Sequence, residues 1–140
     1  MIKYLLDTNV ISEAIKSEPN PQVMKQLQKQ QDEIATAAPV WHELQYGCRR
    51  LPISKKRSLI ESYLSEVVWP GLEILPYDKE AAGWHAKQRA RLMAKGQSPP
   101  FVDGKIAAIA TVNHLILVTR NTSDFECFSE LEVQNWHKKP

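Results

Sequence analysis

Short runs of strand-forming residues recur along the chain at 2–6, 33–37, 73–75, 115–119 and 131–136, each too brief for a buried helix. "LILVT" (115–119) is almost wholly aliphatic, as in a strand covered on both faces. "LEVQNW" (131–136) reads as an edge strand. Helical periodicity fills the intervals: from about Asn9, over 20–31, from Pro39 in a first turn through about Arg50, over 54–68, over 78–95 and over 101–113. Asp78 is the expected N-cap of the 78–95 helix and Gly96 its end. "SPP" (98–100) breaks the chain before the 101–113 helix, which is apolar almost all round and so expected between the sheet and other helices. Alternating strands and helices predict the α/β class: a three-layer α/β/α sandwich around a central parallel sheet of four to five short strands. No internal repeat or dividing linker is visible, so residues 1–140 are expected to form a single domain.

In such sheets ligands bind beyond the carboxyl ends of the strands, where the strand order switches. The first run stops at Asp7, and the 115–119 run leads into "TRNTSDF", which carries Asp124. Glu43 shares an apolar stripe with Val40, Leu44 and Gly47. Asp103 stands in the first turn of the 101–113 helix. Each acid alone has a structural explanation. Asp7 suits a cap or turn, Glu43 could sit at the stripe's edge reaching water or an arginine, and Asp103 could complement the helix dipole for ~0.5 kcal/mol. Should all four converge, however, their repulsion would call for a cation. An all-oxygen donor set without a His or Cys cluster suits Mg²⁺ or Mn²⁺ rather than zinc.

Composition limits the alternatives. The 140 residues are 43% hydrophobic, enough for a real core, and the formal net charge is +2. That charge is too mild to prove nucleic-acid binding. Arg49, Arg50, Lys55–Lys56–Arg57, Lys87, Arg89, Arg91, Lys95 and Arg120 are candidate phosphate contacts, or simply solvated helix faces. Trp41, Trp69, Trp84 and Trp136 could stack bases but are expected in the core or at interfaces. Cys48 and Cys127 read as reduced, mostly buried thiols. With neither a membrane-length apolar run nor signal-peptide features, a cytoplasmic, membrane-free protein is expected. His42, His85, His114 and His137 lack ligand spacing and are expected as surface or capping residues.

Several motif readings fail. "DTN" lacks the second acid of the Asp-x-Asp phosphatases, because position 9 is asparagine. "HELQY" lacks the second histidine of the zinc proteases. No GxGxxG, GxxxxGK[ST] or GxSxG occurs.

Four stretches, "LLDTNVISE", "WHELQYG", "DGKIAAIA" and "LVTRNTSDF", occur in the order found in the PIN-domain ribonucleases. Through them the chain resembles the VapC-type toxins of toxin–antitoxin pairs over nearly its whole length. The resemblance implies a metal-dependent endoribonuclease acting on RNA, in relatives often tRNA or rRNA. It implies Mg²⁺ or Mn²⁺ as cofactor, with Asp7, Glu43 and Asp103 as the acidic triad and Asp124 as a fourth, more variable acid. Asp7 and Asp103 would be direct ligands, and Thr8, Asn9, Thr119 and Asn121 supporting residues. It further implies a homodimer and a cognate antitoxin that wraps an apolar groove and inserts an arginine among the acids, forming a hetero-oligomer. The aliphatic faces of 9–31 and 51–68 could form that groove or belong to the core. The chemistry expected is attack by metal-activated water in line with the 3′-oxygen, leaving a 5′-phosphate. Glu43 or Asp124 would orient the water or hold a second ion ~4 Å from the first. A different class of reading remains: a non-catalytic RNA- or protein-binding PIN-like module with a structural cation.

Overall fold

The computed structural model describes residues 1–139. Five short strands, β1 (Tyr4–Leu6), β2 (Ile34–Ala37), β3 (Glu73–Leu75), β4 (Ile116–Val118) and β5 (Val133–Gln134), form one sheet in the order β3-β2-β1-β4-β5. Every pairing is parallel. Helices α1 (Thr8–Ile11), α2 (Pro21–Lys29), α3 (Ala38–Arg49), α4 (Lys55–Tyr63), α5 (Trp69–Gly71), α6 (Lys79–Ala94) and α7 (Phe101–Val112) flank it, giving the three-layer α/β/α sandwich. Among the described residues no helix is long and apolar enough to cross a membrane.

The order of the strands fixes the functional edge. The chain runs outward from β1 through β2 to β3, then returns to place β4 and β5 on the other side of β1. The switch therefore lies between β1 and β4, where Leu6 is in register with Val118. The next residues, Asp7 and Thr119, emerge side by side at the carboxyl end, and Asp7 N–H donates to the Val118 carbonyl at 2.9 Å. Both strands are covered on both faces: Tyr4, Leu5, Leu6, Leu117 and Val118 are all buried. In α7, Gly104 and Ile106 to Ala110 are buried, as its apolar circumference predicts.

Local signals shaped most ends as expected. Asp78 caps α6 by accepting from Ala81 N–H at 2.9 Å. The helix closes with Gly96 at φ +74° while Gln97 N–H reaches the Leu92 carbonyl at 2.8 Å.

The expected helix over 54–68 is not continuous. It passes at Leu64–Val68 into a π-turn, with Trp69 N–H bonded to the Leu64 carbonyl. Pro70 has no N–H to give the carbonyl four residues before it, so the ladder must slip at this point. The helix expected from Asn9 lasts one turn and continues as a 3₁₀ segment, Ser12–Ile15. Two histidines also depart from expectation. His85 is only 4% exposed and shares a 2.8 Å hydrogen bond with the Tyr77 hydroxyl. His137 is half-buried and pairs through Nε2 with Glu13 at 3.0 Å. In α6, residues Ala81, His85, Gln88 and Leu92 form one buried stripe, so the periodicity itself carries His85 inward.

Candidate active site

Asp7 takes the capping role expected of it. It is the N-cap residue of α1, with Oδ1 accepting from Thr8 N–H at 2.8 Å. Its other oxygen, Oδ2, accepts from the Thr119 hydroxyl at 2.8 Å. The side chain is thus held at both oxygens, 8% exposed, at the switch point of the sheet. Burial drives its pKa up; the Thr8 and Thr119 hydrogen bonds pull it down, and the charges of Glu43 and Asp124 push it further up.

Thr119 organises the floor. Its hydroxyl donates to Asp7 and accepts from Asn9 Nδ2 at 3.2 Å and from Asn121 N–H at 3.1 Å. Asn9 in turn accepts from Arg120 N–H at 3.0 Å through Oδ1. Residues from both ends of the chain are therefore tied together around one carboxylate.

The other three acids reach this floor from different elements. Glu43, on α3, accepts from the Thr8 hydroxyl through Oε2 at 3.1 Å. It is exposed rather than core-facing, because it sits at the margin of the stripe whose buried members are Val40, Leu44 and Cys48. Asp103, in the first turn of α7, is half-buried, and its pKa is pushed up to about 6 by burial and then by Asp7, Asp124 and Glu43. Asp124 is exposed, on the 3₁₀ segment Thr122–Phe125. The charges of Glu43 and Asp124 act on both Asp7 and Asp103, and that of Asp7 acts on Asp103.

These carboxylates form an open set. Among the described residues no three His, Cys, Asp or Glu side chains are drawn together as a ready metal cage. The donor chemistry nonetheless fits a hard divalent cation: only oxygens are offered, and the shift at Asp103 has no hydrogen bond to offset it. What relieves such a site is positive charge.

The basic residues divide. Arg49 and Arg50 are exposed at the end of α3, Arg50 lying over the Tyr46 ring at 5.5 Å, and Lys87 and Arg120 are exposed as well. Arg91 is not free to meet a ligand; it is half-buried and donates to Gln88 Oε1 at 2.6 Å and the Cys127 carbonyl at 2.8 Å. Arg57 is likewise committed to Glu61 and the Leu51 carbonyl.

Sequence reasoning passed over Glu13. It is 3% exposed and accepts from Asn20 N–H at 2.9 Å, from Lys16 at 3.1 Å and from His137. These hydrogen bonds and the Lys16 charge overcome the cost of burial and bring its pKa down to about 2. Its place three residues after buried Val10, on the same face, was the available signal.

A family profile described as "PIN domain" matches residues 4–131. Similar curated proteins include the VapC ribonuclease Y4jK of Sinorhizobium fredii, 35% identical over 135 residues, with 94% of this chain and 96% of that protein covered. They also include the tRNA(fMet)-specific endonuclease VapC of Shigella flexneri, 30% identical over 137 residues, with 97% and 99% covered. Among solved structures, VapBC2 from Rickettsia felis bound to a DNA fragment from its promoter superposes with a TM-score of 0.83 at 30% identity, covering 97% of this chain and 99% of that one.

Proposed function

The chain belongs to the PIN-domain family and is of the VapC type, and on that premise we propose that it is a single-domain, divalent-metal-dependent endoribonuclease toxin held in check by a cognate antitoxin. The observation that carries the reading is the buried Asp7 at the switch point of the sheet, fixed by Thr8 and Thr119 and under the charges of Glu43 and Asp124, which act on Asp103 as well. Similarity to proteins named as ribonuclease and endonuclease supports the reaction class.

Asp7 and Asp103 would hold the ion, Mg²⁺ or Mn²⁺, with Glu43 and Asp124 beside it. Such an ion polarises a phosphate oxygen and lowers the pKa of water. The chain's own residues supply the remainder. Thr8 and Thr119 keep the Asp7 carboxylate in one rotamer. Asn9 and Asn121 hold the Thr119 hydroxyl and hence the floor. Glu43 or Asp124, both exposed, would orient the attacking water and accept its proton, or hold a second ion. Arg120, Arg49, Arg50 and Lys87 offer positive charge to the approaching RNA, whether tRNA or rRNA.

The antitoxin would cover apolar surface away from the acids. A 310 Å³ cavity lined by Ile11, Ala14, Leu27, Tyr63, Val67 and Leu72 offers a largely apolar seat. We assign the exposed Trp69, whose ring lies 5.5 Å from that of Trp41, to the contact between two copies in a homodimer.

The test is the chemistry of the ends. Purified chain incubated with total RNA and Mg²⁺ should leave 5′-phosphate and 3′-hydroxyl termini. Termini bearing a 2′,3′-cyclic phosphate would contradict the water-attack route. RNA left intact in both Mg²⁺ and Mn²⁺ would favour the non-catalytic binding module.

A further inference from the structure

Outside the acidic floor, one exposed aromatic residue is surrounded by cations. Phe101 opens α7, two residues before Asp103, and is 47% exposed. Lys105 Nζ lies 4.9 Å from its ring centroid and the Arg89 guanidinium 5.1 Å. Among the described residues neither cation forms a salt bridge with a carboxylate. Lys105 also lies 5.2 Å from the Tyr77 ring, so its ammonium sits against two aromatic rings. Phe101 and Lys105 are four residues apart and share one face of α7.

The ring is held from below. His85 packs against Phe101 with centroids 4.8 Å apart and is anchored through Nδ1 to the Tyr77 hydroxyl. This arrangement needs Gly104: any Cβ there would collide with the His85 ring. A buried, hydrogen-bonded imidazole thus fixes an aromatic ring that keeps half its surface in water.

We propose that Phe101, flanked by Arg89 and Lys105, is a stacking subsite for one unpaired base of the RNA strand. The subsite rests on the endoribonuclease reading and deepens it. Proteins that hold single strands combine aromatic faces with unpaired cations in this way, the ring taking the base and the cations the adjoining phosphates. Two cations over a half-exposed ring, neither held by a carboxylate, complement a polyanion carrying flat bases. Phe101 and Asp103 are two residues apart and project from opposite sides of α7.

Binding of a fluorescein-labelled, single-stranded 12-nucleotide RNA of mixed sequence, followed by anisotropy in EDTA, tests the subsite without cleavage. Phe101→Ala and Phe101→Leu should each weaken binding by about 5- to 100-fold, whereas Phe101→Trp should stay within about twofold. Leucine keeps an apolar contact with His85 but offers no face for stacking. Arg89→Gln and Lys105→Gln should each reduce the slope of log K against log salt by about 0.7. Leu binding as well as Phe, or unchanged affinity in Phe101→Ala, would overturn the subsite. So would a wild-type chain that does not bind the RNA. A Phe101→Ala chain that becomes monomeric in sedimentation without losing RNA affinity would assign the ring to a contact between copies instead. Cleavage of total RNA in Mg²⁺ by the wild type reads out the nuclease assignment separately, so the subsite can fail while that assignment stands.

Discussion

The hydroxyl of Thr119 donates to Oδ2 of Asp7 at 2.8 Å although 112 residues separate the two in the chain. The contact exists because β1 and β4 are neighbours in register, so that the residues leaving each strand meet. Thr119→Val keeps the shape and removes the hydroxyl, stranding the groups that Asn9 and Asn121 direct at it. Stability should fall by ~2 kcal/mol. Because Asp7 would lose its fixed rotamer, kcat should fall by about 10- to 100-fold. Thermal melts and single-turnover cleavage measure the two effects.

Asp103 should trade stability for function. Its carboxyl titrates near 6 in the folded chain against 3.8 ordinarily. Between those values the folded chain keeps a proton that the unfolded chain has released, so stability falls as pH rises through the window and the loss is complete above it. Asp103→Asn should therefore raise the Tm of the metal-free protein at pH 7.5 by on the order of 3–8 °C, about 1–2 kcal/mol, with little change at pH 4. Mn²⁺ should stabilise the wild type and leave the variant nearly unmoved.

Glu13 carries the opposite sign. Its pKa lies at about 2 against 4.5 ordinarily, so its contribution is present above 4.5 and is lost as pH falls toward 2. Glu13→Gln should cost ~2 kcal/mol at pH 7, a cost that shrinks as pH falls and vanishes below pH 2. Paired pH–melting curves of the two chains should converge on the acid side.

At Gly104, added volume meets the buried His85 ring. Gly104→Ala should cost ~2 kcal/mol in a wild-type background. In a His85→Ala background the same change should be nearly neutral, and a double-mutant cycle in urea measures the coupling.

What the sequence made legible was what local pattern controls. The three residues Glu73–Leu75 and the Asp78 cap stand where periodicity and cap chemistry put them. The parallel sheet followed from strands alternating with helices. The π-turn at Leu64–Val68 was hidden because Leu64 and Val68 are one apolar repeat apart whether the ladder slips or not. Glu13 was overlooked although it shares a face with Val10, the same pattern that drew attention to Glu43. The four acids were named from their motifs, but the ties among Asp7, Thr8, Asn9 and Thr119 depend on strand order, which no local window contains. Charge alone makes Arg91 a candidate phosphate contact; its commitment to Gln88 and the Cys127 carbonyl is a tertiary fact.

The central claim is that Asp7 anchors a cation-dependent RNA-cleaving centre. Its most direct measurement compares RNA cleavage by the wild type and Asp7→Asn in Mg²⁺, each alongside an EDTA control. The wild type should cleave only with the metal, and the variant should lose at least about 100-fold, on the order expected when a key charged group is removed. Wild-type cleavage that persists in EDTA, or a fully active Asp7→Asn chain, would contradict it.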